Sequence, residues 1–337
     1  MQIRLASARG FCSGVERAIE IVERALERYG APIYVRHEIV HNRWVVDALR
    51  AKGVVFVDRP SVVPRGSVLI FSAHGVSPEL HTEAEESGLH VIDATCPLVT
   101  KVHREAKRFA AAEKEILLIG HKGHVEVEGT MGEAPGHTRL IENVVDAEEV
   151  VLRNPERAAV LTQTTLSVDD TADILAVLRR RFPSITTPKR DDICYATQNR
   201  QNAVKELARR CELVIVVGSA NSSNGMRLVE AARRVGVRVE RVEDASEIDA
   251  NWLGSVERVG VTSGAAVPED LVEAVVVSLE ALARDPVEIQ RMAVVDEGTH
   301  FQLPAILRKS PRPVQGSAGK ETQVRSSLSV GASGGRN

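Results

Sequence analysis

Three times along this chain a single cysteine stands at the mouth of a helix that carries one apolar stripe. In GFCSGVERAIEIVERALERYG, Cys12 precedes Val15, Ala18, Ile19, Val22, Ala25, Leu26 and Tyr29, spaced for one helix face, and the pattern stops at Gly30. ATCPLVTKVHREAKRFA repeats the design with Cys96 ahead of Val99, Val102, Ala106, Phe109 and Ala110. Its Pro97 falls in the first helical turn, where a missing backbone N–H costs little. DDICYATQNRQNAVKELARR repeats it with Cys194 ahead of Ala203, Val204, Leu207 and Ala208. The three cysteines are 84 and 98 residues apart. This recurrence predicts a threefold internal repeat of architecture.

The segments between the cysteines keep the same phase. Each cysteine helix leads into a short apolar strand and a polar turn. PIYVRHEIVHNRWVVDAL gives His41, EILLIGHKGHVEVEGTMG gives His124 and Glu126, and LVIVVGSANSSNGMRLVEAARRVG gives Ser222, Ser223 and Asn224. A further strand and turn then gives His74, or Thr164 and Thr165, or Thr262 and Ser263. Alternating strands and helices argue for α/β architecture with mostly parallel sheets. The reading is three similar lobes, 1–95, 96–192 and 193–304, around a pseudo-threefold axis. Ligands of parallel sheets gather at the carboxyl ends of the strands. All nine turns lie at that end, so the three cysteines are expected to meet at one point, ringed by the polar turns.

Composition narrows the function. Net charge is −3 and aromatics are 3%, which leaves neither a global basic footprint nor base-stacking surfaces for nucleic acid. No apolar run approaches a membrane span, and the start lacks the apolar stretch of a signal peptide. The expectation is a cytoplasmic protein whose thiols stay reduced. Residues 305–337 hold six Lys/Arg and one acid in a Ser/Gly/Pro-rich stretch, read as a disordered basic tail.

Three thiols at helix N-termini, where thiolate is favoured, suit either zinc or an iron–sulfur cluster with one open position. Cys211 continues the stripe 204, 207, 208 and is expected to be core. The imidazoles and hydroxyls of His41, His74, His124, Thr164, Thr165, Ser222, Ser223 and Asn224 suit an anion, above all phosphate or diphosphate. The other histidines (His37, His81, His90, His103, His121, His137 and His300) do not share that phase. Glu126 is the candidate proton donor and Glu128 its competitor. A cluster-dependent reductase, a zinc phosphohydrolase and an iron–sulfur carrier or redox sensor all remain open at this point.

The motifs RGFCSGVERAI, EIVHNRWVVD, SAHGVSP, DATCPLVTKVH, GHKGHVEVEGTMG, TQTTLSVDDT, DDICYATQNRQ and NSSN, taken together, resemble the 4-hydroxy-3-methylbut-2-enyl diphosphate reductase family. The resemblance spans residues 9 to about 270 and leaves out the basic tail. It implies a central 4Fe–4S cluster held by Cys12, Cys96 and Cys194, with one iron open to the allylic hydroxyl of the substrate. It implies a diphosphate held among His41, His74, His124, Ser222, Ser223 and Asn224. Glu126 would relay protons with help from Thr164, and electrons would come from reduced ferredoxin or flavodoxin. The products would be isopentenyl and dimethylallyl diphosphate. One departure stands out: where such sequences usually carry a serine, TSGAAVP has Ala266. One hydroxyl donor to the diphosphate is then missing, unless Ser263 or water replaces it. SSNGMRL also departs from a more polar stretch.

Overall fold

Hydrophobic runs with no polar alternation, such as LVIVV and AAVLT, must be covered on both faces, and they become the central strands of parallel sheets. A computed structural model of the chain describes residues 1–284, 286–292 and 297–308. In chain order β1 (Gln2–Leu5) is followed by α1 (Ser13–Tyr29), β2 (Ile33–Arg36), α2 (Arg43–Ala51), β3 (Val54–Val57), β4 (Val68–Phe71), α3 (Pro78–Glu86) and β5 (His90–Asp93). The second lobe has α4 (Pro97–Ala111), β6 (Glu115–Ile119), α5 (Val125–Glu133), β7 (Thr138–Ile141), α6 (Val144–Glu149), β8 (Ala158–Thr162) and α7 (Val168–Arg181). The third has α8 (Tyr195–Ala208), β9 (Leu213–Val217), α9 (Ser223–Val235), β10 (Arg238–Val242), β11 (Arg258–Ser263), α10 (Glu269–Leu282) and β12 (Glu288–Arg291). A last turn of helix, α11 (Ala305–Arg308), follows.

The three sheets share one plan. Their orders are β3-β2-β4-β5, β7-β6-β8 and β10-β9-β11-β1-β12. Every strand pair is parallel. In the second lobe Thr186 takes the fourth position through a parallel bridge to Ala159. Helices cover both faces of each sheet, giving two apolar clusters per lobe. Cys211 is 9% exposed and packs with Val204, Leu207 and Val214, as its place on the stripe predicts.

Two expected boundaries need correction. Residues 2–5 do not belong to the first lobe: β1 pairs with β11 and β12 and completes the third sheet. The same shift recurs at every junction. β1 belongs to the third sheet, but α1 packs into the first lobe's core. β5 belongs to the first sheet, and α4 packs into the second. Thr186 closes the second, and α8 packs into the third. Each cysteine therefore sits where the chain leaves one lobe for the next. The tail reading is corrected at its start. Residues 305–308 form α11, and Leu307 is buried against the first lobe, where its apolar side chain leaves water. Arg28 donates to the Ile306 carbonyl at 2.9 Å. Residues 309–337 lie outside the described residues. Among the described residues no helix is long and apolar enough to cross a membrane.

Candidate active site

The strand-to-helix turns converge on one cavity. All thirteen residues expected at the site line it: Cys12, Cys96, Cys194, His41, His74, His124, Glu126, Thr164, Thr165, Ser222, Ser223, Asn224 and Ala266.

Cys12, Cys96 and Cys194 are the residues immediately before α1, α4 and α8. Gly14 lets two of them approach. A Cβ there would lie 2.8 Å from Cys96 Sγ and 3.8 Å from Cys12 Sγ. Cys194 Sγ accepts from Thr197 N at 3.4 Å and lies 3.1 Å from Thr197 Oγ1. Burial works against the helix N-termini at these thiols. Burial pushes Cys96 up to about 12 and Cys194 to about 11, and raises Cys12, despite first-turn amides acting the other way. Desolvation of the charged sulfur outweighs the helix terminus. Three soft donors, beside a glycine that keeps their floor open, fit an iron–sulfur group. Among the described residues no group of three His, Cys, Asp or Glu is set to hold a single metal ion.

Glu126, second in α5, is 3% exposed. Thr164 N donates to its Oε1 at 2.6 Å and Thr164 Oγ1 to its Oε2 at 3.0 Å. Burial lifts this carboxyl to about 7, with the Thr164 bonds holding it down. Glu128 faces solvent, which decides between the two candidates. His124 caps the same helix: its Nδ1 accepts from Glu126 N at 3.2 Å. Its proton therefore sits on Nε2, which is buried without a protein partner.

His41 stacks on His74 with centroids 4.1 Å apart and meets His124 edge-on at 5.5 Å. His41 Nδ1 lies 3.1 Å from Glu38 Oε2, which also accepts from Asn221 at 2.9 Å. The hydrogen bond to His41 keeps Glu38 below its ordinary value. Desolvation, followed by mutual repulsion with His41, lowers His124 to about 3 and drives His74 well below 6.5. His74 and His124 are therefore held neutral.

The third lobe supplies hydrogen-bonding groups. Ser223 Oγ accepts from Thr165 at 2.9 Å. Asn224 accepts from Ala265 N at 3.0 Å and donates to Thr197 at 3.0 Å, linking the polar ring to Cys194. Ala266 contributes only a methyl to the cavity. Ser263 cannot replace the missing hydroxyl: it lies outside the cavity lining, and its oxygen accepts from Gly10 N at 2.8 Å.

Sequence reasoning missed several participants. His37 joins the cluster at 5.8 Å from His41 and 6.4 Å from His74. Glu38 and Thr197 each stand three residues from a named site residue, a spacing that places side chains together within a turn. Gln163, within TQTT, donates to Thr165 at 2.9 Å.

The fold and site define a three-lobed α/β protein whose cavity joins three cysteines to a ring of imidazoles and hydroxyls and to one buried carboxyl. The chain belongs to the LytB protein family, whose pattern matches residues 3–280, and that family is iron–sulfur dependent. It is 56% identical over 313 residues to 4-hydroxy-3-methylbut-2-enyl diphosphate reductase 2 of Mycobacterium tuberculosis, covering 92% of each. It is 54% identical to the 4-hydroxy-3-methylbut-2-enyl diphosphate reductase of Dechloromonas aromatica, covering 90% of this chain and 99% of that one. Among solved structures it resembles the E-1-hydroxy-2-methyl-but-2-enyl-4-diphosphate reductase of Plasmodium falciparum. That match has a TM-score of 0.86 at 39% identity and covers 90% of this chain and 96% of that one.

Proposed function

We propose that the protein reduces 4-hydroxy-3-methylbut-2-enyl diphosphate to isopentenyl and dimethylallyl diphosphate. Two electrons and two protons replace the allylic hydroxyl by hydrogen and release it as water. The observation that carries this reading is the convergence of three cysteines, an anion ring and Glu126 on one cavity. Its relatives' names give the substrate.

His41, His74 and His124 with Ser222, Ser223 and Asn224 hold the diphosphate, whose charge draws a proton onto His74. His124 Nε2–H, without a protein partner, donates to a phosphate oxygen. Glu126 carries a proton near neutrality. From Oε2 it donates to Thr164 Oγ1, whose own hydrogen then turns into the cavity toward the departing hydroxyl. Hydroxide is a poor leaving group, so this proton is needed as the bond breaks. A 4Fe–4S cluster held by Cys12, Cys96 and Cys194 supplies electrons and Lewis acidity when bound. Reduced ferredoxin or flavodoxin delivers the electrons, in a cytoplasm that keeps thiols reduced.

The test is anaerobic purification followed by substrate and a reduced viologen dye. The expected result is brown, sulfide-containing protein and dye oxidation lost in Cys96→Ser. Brown protein without turnover points to a sensor or carrier and refutes the reductase. Colourless, zinc-containing protein refutes the cluster.

A further inference from the structure

His103 belongs to no part of the site described above, although it ends the DATCPLVTKVH motif. It lies on α4, the helix that Cys96 opens, and its side chain is 9% exposed. Its Nδ1 is 3.0 Å from Glu133 Oε1, at the last residue of α5. The other Glu133 oxygen pairs with Lys107 Nζ at 2.8 Å, one turn further along α4. A carboxylate only accepts, so the neutral ring carries its proton on Nδ1. Nε2 is then a bare lone pair, buried without a partner.

The ring is wedged between two glycines. A Cβ on Gly75 would lie 2.8 Å from His103 Cε1, and one on Gly129 would lie 3.3 Å from Nε2. Gly75 directly follows His74 in the first lobe and has a left-handed φ of +79°. Its amide donates to the Ser72 carbonyl at 3.2 Å, and Ser72 Oγ lies 3.2 Å from His74 Nδ1. Gly129 lies three residues after Glu126 in the second lobe. Beside this contact a Cβ on Gly132 would collide with Ser77. A phenyl ring would fill the same slot without an orphaned nitrogen, so apolar packing alone does not account for a histidine here.

We propose that His103 is a positioning residue: held by Glu133, its ring fixes the His74 turn against the Glu126 helix, so that diphosphate binding and proton delivery are set as one unit across two lobes. The proposal rests on the reductase reading for the proton step, and on the anion ring alone for the binding step. Two variants of the full-length, cluster-loaded protein test it. His103→Phe keeps the ring's shape and loses the bond to Glu133. Glu133→Gln keeps the volume and loses the charge. Both are expected to retain brown colour and the wild-type EPR signal. Both should weaken inorganic diphosphate, by titration calorimetry, roughly tenfold, and lower kcat roughly ten- to a hundredfold, the scale of a misplaced reactive geometry. The double variant should be no worse than the poorer single one, because both changes cut the same link. Weakened diphosphate binding in a protein whose wild type does not turn over the substrate keeps the positioning role and removes the reductase reading. Diphosphate affinity within twofold of wild type in Glu133→Gln overturns the proposal, as does simple additivity of the two changes.

Discussion

Thr164→Val isolates the hydroxyl that touches Glu126. Valine keeps the shape, and the main-chain bond from residue 164 to Oε1 survives. Only the 3.0 Å bond from Oγ1 to Oε2 is lost. That bond stabilises the ionised carboxylate, so its removal raises a group already lifted to about 7. A hydrogen bond to a charged acceptor is worth about 1.5–3 kcal/mol. The protonated carboxyl also bonds this hydroxyl, more weakly, so at about 1.4 kcal/mol per pH unit the carboxyl rises by at most roughly one to two units. A group that works as an acid then stays protonated to higher pH. The basic limb of kcat, read with saturating substrate and reduced viologen, should move up by that amount. The plateau itself should fall, because the relay oxygen is gone. Thr164→Ser, which keeps the hydroxyl, should hold the wild-type limb. A basic limb that stays in place or moves down in cluster-loaded Thr164→Val would refute the assignment of Glu126 as the acid.

Glu126→Gln should leave the cluster spectrum intact, lower kcat at least a hundredfold and stabilise the folded protein in alkali. The sign follows from a carboxyl raised above its ordinary 4.5: the folded state holds a proton that the unfolded state has lost, so native stability falls as pH rises from 4.5 to about 7. Removing the charge recovers about 3 kcal/mol at pH 8, visible as a higher Tm; an unchanged Tm would count against a desolvated carboxyl. Inorganic diphosphate should bind with proton uptake near pH 6.5, because His74 is neutral in the free protein and an anion raises it, while His124 Nδ1 stays the acceptor of Glu126 N. Calorimetry in two buffers of different ionisation heat measures this, and a heat independent of buffer sinks it. The lowering of His74 and His124 destabilises the free protein as pH falls from 6.5 towards 3, where the unfolded chain takes protons that the folded one refuses. Ala266→Ser should tighten diphosphate roughly tenfold or more, since Ser263 is committed to Gly10 and leaves that face without a hydroxyl; unchanged affinity would show that the cavity does not use a donor there.

What could be read from the residues had a local cause. A polar turn after an apolar run announces itself, and nine such turns in phase placed Cys12, His41, Glu126 and Ser222 around one point. What escaped depends on partners far along the chain. Nothing in QIRL says that it pairs with residues 258–261 and 288–291 rather than with its neighbours. The strands β7 and β10 lie at sheet edges with half-exposed side chains, so their short runs carry little hydrophobic signal. His37 enters the cluster through a left-handed backbone, φ +59°, that no periodicity encodes. The burial of the three thiols escaped for a different reason. A helix terminus is a local feature, whereas the burial that overrides it is built by three lobes together.

The position of β1 also sets an order of events in the life of the molecule. Gln2–Leu5 form a strand that cannot find its partners until β11, some 250 residues later in the chain, has been made. The ring of lobes closes when the third sheet captures β1, and that closure brings Cys12 to the other two cysteines. The cavity that the three cysteines line is therefore complete only once β11 has been made.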